Sequence, residues 1–436
     1  MKVGEQQHQL KFLFYGILLL LCIPWLQGDL KWISEKDLSG GIEKKSLITF
    51  TGTNWFEARY QQYKEAWLND EFGFRNSFVR LNNQLDYYLF DKVHARSVIR
   101  GKENYLYEYN YIRAFYGFDF VGKDSIYNRM YRASVIRDLL KKRDKDLLFV
   151  FAPSKVQFYP EYLPDSIQYS KAETNYEHLL AAAEHYGLNY IDFNQFFLKA
   201  KDSSRYLLYP KYGIHWTHYG ACLVADSLIH TIEKIRNKDL PDISWTEIKM
   251  ATPRFDDNDI EKGLNLIIPM RGPLYAYPEY QFEKPDGKAL PNILVIADSY
   301  YWSLFNLGIH KSFKRNPFWY YHNEVYEAGG LAMKVGNRDY MANDLSECEL
   351  VVIISTDANF SNLGWGFLET AEAILLDKSI RNSAFYEKVQ NLMNYIPTDS
   401  AWIQHIREKA IKLKLPVDSI IKMDATWMVE QELNGK

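Results

Sequence analysis

Hydrophobic positions change their rhythm along this chain, and each change marks a region. The first is an unbroken apolar run, Phe12 to Leu26, without a charge and preceded by Lys2 and Lys11. Next, Phe56, Tyr60, Tyr63 and Trp67 recur at helical spacing, as do Phe78, Leu81, Leu85 and Leu89. Such spacing lays one apolar stripe along a helix, so Asn54 to Phe90 is predicted to be two helices, broken at Gly73. From about Val98 the pattern turns to short continuous runs at Leu147 to Ala152, Asn189 to Phe193, Ile293 to Ala297 and Leu350 to Ser355. Runs of that length fit strands buried on both faces. Helical stretches such as Thr174 to Tyr186 and Ala221 to Asn237 separate them. Strands alternating with helices predict an α/β fold, a mostly parallel sheet flanked by helices.

The remaining segments complete the plan. Phe12 to Leu26 lies between a signal-peptide core and a full span of roughly 17 to 25 residues. No small-x-small cleavage site follows, so an uncleaved anchor with its positive end in the cytoplasm is expected. A cleaved signal peptide is the alternative, and both place the main body outside the cytoplasm. Ala251 to Lys288 is rich in Pro, Gly and Tyr without a period, and reads as a long excursion near the site. In the tail, Asp399 or Ser400 can cap a helix carrying Trp402, Ile406 and Ala410. A second follows Pro416, with Ile420, Met423 and Trp427 on one side. The division is 1–30 for the anchor or signal, 31–95 for a helical stalk or packing layer, 96–395 for the α/β domain and 396–436 for a helical extension.

Composition narrows the function. Hydrophobic residues are 47% and charged residues 25%, the balance of a globular protein. A net charge of -3 without a basic run argues against a nucleic-acid partner. The 33 Tyr and 11 Trp can stack on sugars, although core packing is their default role. Cys222 and Cys348 have no spacing that pairs them, and no Cys/His cluster has metal-ligand spacing. No cofactor or metal is expected.

Candidate chemistry lies in two short pieces. Ala297-Asp298-Ser299-Tyr300 closes a buried strand run, placing Ser299 where open α/β sheets carry their reactive groups. Gly213-Ile214-His215-Trp216-Thr217 supplies a histidine. Three further blocks accompany them: Gly101-Lys102-Glu103-Asn104-Tyr105-Leu106-Tyr107; Ala152-Pro153-Ser154-Lys155 with Tyr159-Pro160-Glu161 and Leu163-Pro164; and Gly220-Ala221 after the histidine block. In this order the blocks, from about Gly101 to Tyr300, resemble the alginate O-acetyltransferase proteins AlgJ and AlgX and their SGNH-like relatives. The resemblance implies an SGNH-like, flavodoxin-like α/β domain behind an export signal. It further implies Ser299 as nucleophile and His215 as base, with acetyl transfer through an acetyl-serine to a polysaccharide hydroxyl. Backbone N–H groups after the strand, including that of Ser299, would hold the oxyanion. A membrane-bound O-acyltransferase would be the acetyl donor partner.

One place departs from the family pattern. The family's Asp-x-His would put the orienting acid at position 213, which is glycine. A backbone carbonyl or another acid can orient His215, with Asp357 the expected candidate. A Ser-His dyad can suffice for slow transfer, or the domain can be a non-catalytic glycan-binding or assembly protein. Asp298 reads as a turn brace or an acid, Lys155 as a substrate ligand or a solvated lysine, and Asn359 as an oxyanion donor or a turn former. His218 reads as solvent-facing or as a helix cap, with a substitute base as the alternative. A polysaccharide O-acetyl esterase using the same serine is equally compatible with the residues.

Overall fold

Strand alternation sorts the core into two layers. The computed structural model describes residues 3–40, 45–328, 334–376, 383–413 and 415–433, so Lys2 lies outside the described residues. Strands in chain order are β1 (Val98–Arg100), β2 (Leu106–Glu108), β3 (Asp146–Ala152), β4 (Asn189–Asp192), β5 (Ile243–Ala251), β6 (Tyr275–Phe282), β7 (Ile293–Ala297), β8 (Phe318–Tyr320), β9 (Glu324–Tyr326), β10 (Lys334–Val335) and β11 (Leu350–Thr356). The main sheet has the order β10-β9-β8-β7-β11-β3-β4. At its centre β11 pairs in parallel with β3 and β7, and β4 and β8 extend it in parallel. Leu148, Val150, Val295 and Val352 point into one core, and Phe149, Phe151, Ile296 and Ile353 into the other. This period-two split lets both faces be covered by helices. One face takes His218–Arg236 and Tyr301–Leu307; the other takes Lys123–Lys141 and Phe367–Leu376.

The sheet is mixed: its β7-β11-β3-β4 and β7-β8 pairings are parallel, in line with the expectation, and one edge adds antiparallel strands that the sequence did not signal. At that edge β9 pairs antiparallel with β8, and β10 antiparallel with β9. These strands have two or three residues each, too short to leave a periodic signature. The excursion is also more ordered than its composition suggested. β6 pairs antiparallel with β5, and residues 252–274 loop out between them.

Two other packing expectations change. Among the described residues one helix, Val3–Leu30, contains a stretch long and apolar enough to cross a membrane, Leu10–Leu30, with mean hydropathy 1.8. Helices Arg59–Glu71 and Arg75–Phe90 form as expected, but Phe78, Leu81, Leu85 and Leu89 are exposed instead of packed. In the tail, Ser383–Tyr395 packs with Ser400–Leu413 and Val417–Leu433 around Ile406, Ile420, Ala425 and Val429. Asp399 caps the second of these by accepting from Ala401 N and Trp402 N. The helical unit therefore starts at Ser383, before residue 396. Met423 and Trp427 are exposed, not partners of Ile420 in its core.

Candidate active site

Asp298 and Ser299 follow the last residue of β7, at the carboxyl edge of the sheet. Asp298 is completely buried and braces the turn. Its Oδ2 accepts from Thr356 N (2.9 Å), Thr356 Oγ1 (2.8 Å) and Asn359 Nδ2 (2.9 Å), and its Oδ1 accepts from Tyr300 N (3.1 Å). Burial pushes its carboxyl up, and these donors pull the other way. Of its two readings the structure gives the brace. Asn359 spends its amide on Asp298 and on Thr356 Oγ1, so it stiffens the same turn instead of donating to a reacting atom.

His215 is delivered by the loop ahead of helix His218–Arg236. Thr217 caps that helix, accepting from Gly220 N (3.1 Å) and donating to Leu207 O (2.8 Å). Trp216 is buried and donates from Nε1 to Ser303 Oγ (2.5 Å), tying the histidine loop to the helix after the serine. Tyr300 packs edge-on against the His215 ring, with centroids 4.8 Å apart, and donates to Ile214 O (2.7 Å). Held this way, His215 Nε2 lies 3.0 Å from Ser299 Oγ.

The orienting acid is Asp259, which the sequence reading missed. Its Oδ2 lies 2.7 Å from His215 Nδ1. Its Oδ1 accepts from Ile214 N (2.8 Å) and Ile260 N (2.7 Å), which orients the carboxylate toward the ring. A carboxylate only accepts, so Nδ1 carries the proton and the Nε2 lone pair faces the serine hydroxyl. Burial, the largest single influence, pushes the His215 pKa down, but the Asp259 hydrogen bond and the charges of Asp259, Asp256 and Asp298 together leave it raised.

Position 213 has no room for a side chain. A Cβ there would meet Asp256 O at 2.6 Å, Pro210 Cγ at 2.8 Å and Asp257 C at 2.9 Å. The excursion packs onto the place where a side chain at 213 would begin. The same segment supplies Asp259 in its stead. His218 helps to hold it there, correcting the solvent-facing and helix-cap readings. Its ring stacks on Phe255 at 4.9 Å, and its N–H donates to Asp257 Oδ1 (3.2 Å). Burial pushes the His218 pKa down to about 4.

Asp357 is not the acid. Its carboxylate accepts from Ser154 Oγ (2.6 Å) and Asn194 Nδ2 (3.5 Å), which joins the ends of β11, β3 and β4. Burial pushes it up to about 6. Lys155 is neither a solvated lysine nor open to a ligand, being 3% exposed. Its Nζ donates to the carbonyl oxygens of Gly213 and Lys211, holding the histidine loop from beneath. Burial brings its pKa down to about 7, opposed by the charges of Asp259 and Glu108. Away from this site, on the second half of helix His218–Arg236, His230 and Glu233 join Asp242 in a group that could hold a metal.

A serine, a histidine and an aspartate in hydrogen-bonded sequence at the carboxyl edge of an α/β sheet form the triad that acyl transfer through a serine requires. Comparison with known proteins agrees: residues 98–252 match the family model described as SGNH hydrolase-like domain, acetyltransferase AlgX. The matched segment includes Lys155 and His215 and ends before Asp259 and Ser299. No curated protein matches the chain in sequence. Among solved structures, the O-acetyltransferase domain of Pseudomonas putida AlgJ is similar at 13% identity and TM-score 0.42, over 63% of this chain and 98% of that one. Pseudomonas aeruginosa AlgX is similar at 16% identity and TM-score 0.41, over 65% of this chain and 67% of that one. Bacillus cereus PatB1 is similar at 13% identity and TM-score 0.39, over 62% of this chain and 98% of that one.

Proposed function

We propose that this chain is an O-acetyltransferase that acts outside the cytoplasm, tethered by its N-terminal helix, on hydroxyl groups of a polysaccharide. The observation that carries the reading is the continuous Ser299–His215–Asp259 relay, with contacts of 3.0 and 2.7 Å. His215 Nε2 takes the proton as Ser299 Oγ attacks the acetyl carbonyl. The tetrahedral intermediate collapses, the bond to the donor's leaving oxygen breaks, and that oxygen takes the proton from His215. An acceptor hydroxyl then gives its proton to His215 and attacks the acetyl-serine; the bond to Ser299 Oγ breaks, and His215 returns the proton to that oxygen. Asp259 holds the ring and stabilises its positive charge in both half-reactions.

Supply of acetyl groups by a membrane-bound O-acyltransferase fits a tethered body and belongs to the same proposal. A non-catalytic role drew its support from Gly213, and Asp259 removes that reason. An esterase would run the same relay with water as acceptor. The two are separated by giving the full-length protein an activated acetyl ester with and without oligosaccharide acceptors. The proposal expects acetylated oligosaccharide to form at the expense of free acetate. Acetate release that no acceptor diminishes would reassign the site to hydrolysis.

A further inference from the structure

Helix Arg75–Phe90 turns its polar side inward and its apolar side out. Asn83 and Gln84, each 7% exposed, face the body. Asn83 Nδ2 donates to Leu264 O (2.8 Å), and Gln84 Oε1 accepts from Ile268 N (2.8 Å). Phe78, Leu81, Leu85 and Leu89 are between 46% and 67% exposed. Steps of three and four residues put these on one side of the helix. Phe72 joins them, its ring centroid 6.4 Å from that of Phe78. Single exposed leucines are ordinary on a protein surface; a continuous stripe marks a contact surface.

The position of the stripe identifies what covers it. The corner before this helix sits directly on the apolar N-terminal helix. A Cβ on Gly73 would come within 2.1 Å of Pro24 O and 2.5 Å of Gly28 N, so the two backbones touch there. At 1.5 Å per residue, Leu10–Leu30 is about 31 Å long, matching a hydrocarbon core of about 30 Å. Pro24 and Gly28 then lie in roughly the last 10 Å of the span, at its outer boundary. The stripe therefore begins at the level where the bilayer ends.

We propose that the outward face of helix Arg75–Phe90 lies on the bilayer surface, so that lipid covers Phe78, Leu81, Leu85 and Leu89. This inference rests on the anchor reading of the N-terminal helix. Polar side against protein and apolar side against lipid is the arrangement of an interfacial helix. It has a consequence for the chemistry. Leu264, which this helix clamps, directly follows helix Asp259–Gly263, and Ile268, the second clamped residue, lies in the same loop. The lipid-seated helix thus grips the segment that carries the acid.

Spin labels in the full-length protein, reconstituted in nanodiscs of phosphatidylethanolamine and phosphatidylglycerol, test this. Leu81→Cys and Leu85→Cys are labelled singly on a Cys22→Ser background, with Tyr131→Cys as the exposed control on the body. Native Cys22 is labelled separately to report the anchor. Relative to Tyr131, labels at 81 and 85 are expected to collide several-fold more with oxygen than with an aqueous nickel chelate. Water-like values at both, with Cys22 inside the bilayer, overturn the proposal and leave the anchor standing. A water-like Cys22 overturns the anchor reading and the proposal with it. Shielding from both reagents in native membranes, combined with water-like values in nanodiscs, assigns the face to a protein partner and also overturns lipid contact.

Discussion

Replacing Asp259 with asparagine should silence the site almost without altering its shape. In the native chain, Ile214 N and Ile260 N both donate to Asp259 Oδ1. Those donors will keep the amide oxygen of Asp259→Asn on their side, so its NH2 faces His215 Nδ1. That nitrogen must then accept, which moves the ring proton to Nε2, the atom 3.0 Å from Ser299 Oγ. A protonated Nε2 cannot take the serine proton. The equivalent change in serine proteases lowers kcat by about 10⁴, which corresponds to roughly 5.5 kcal/mol of barrier. Release of alcohol from an activated acetyl ester, measured beside Ser299→Ala and Asp357→Asn, reads the effect. Asp357→Asn should retain activity in the fraction that stays folded. Adding Gly213→Asp to Asp259→Asn should not restore activity, because Asp256 O would lie 2.6 Å from the new Cβ. An Asp259→Asn rate within threefold of wild type, with Ser299→Ala inactive, would refute the assignment of the acid.

Further predictions follow from the charges around the site. His215 must be neutral to act as base, and its pKa is raised, with Asp259, Asp256 and Asp298 together outweighing burial. Wild-type activity should therefore climb with pH through a value above 6.5, and residual Asp259→Asn activity should climb at lower pH; pH–rate profiles of both variants check this. Lys155 titrates at about 7 in the folded chain against 10.5 ordinarily. The unfolded chain binds the extra proton between those values, so Lys155 makes stability rise with pH from about 7 to 10.5. Lys155→Met should flatten that rise by an amount on the order of a few kcal/mol, read from urea midpoints across the window. Asp298→Ala strands buried donors from Tyr300, Thr356 and Asn359, and should destabilise by about 3 kcal/mol or more on thermal unfolding.

Ser299 and His215 were legible in the sequence because each carries a local signature. One ends a buried strand run, and the other sits in a Trp-Thr block before a helix. Asp259 carried no such signature. It lies 44 residues beyond His215, in an aperiodic stretch among Asp256, Asp257 and Asn258. The available clue was joint: a glycine at the expected acid position and an acidic run inside a long excursion. Asp357 misled because it follows a strand end as an acid should. Strand-end position alone does not say which side of the edge a carboxylate faces, and Ser154 holds this one away from the histidine. Helix Arg75–Phe90 teaches a similar lesson. Its periodicity revealed which residues share a side, but not whether that side meets protein or lipid. The short strands β8 to β10 were invisible because two or three residues show no period.

The most direct test of the central claim is the intact mass of full-length protein after brief exposure to an activated acetyl ester, followed by peptide mapping. The account predicts one added acetyl group, located on Ser299, absent from Ser299→Ala and lost when a hydroxyl acceptor is added. Turnover that persists in Ser299→Ala, or an acetyl group carried on another residue, would contradict it.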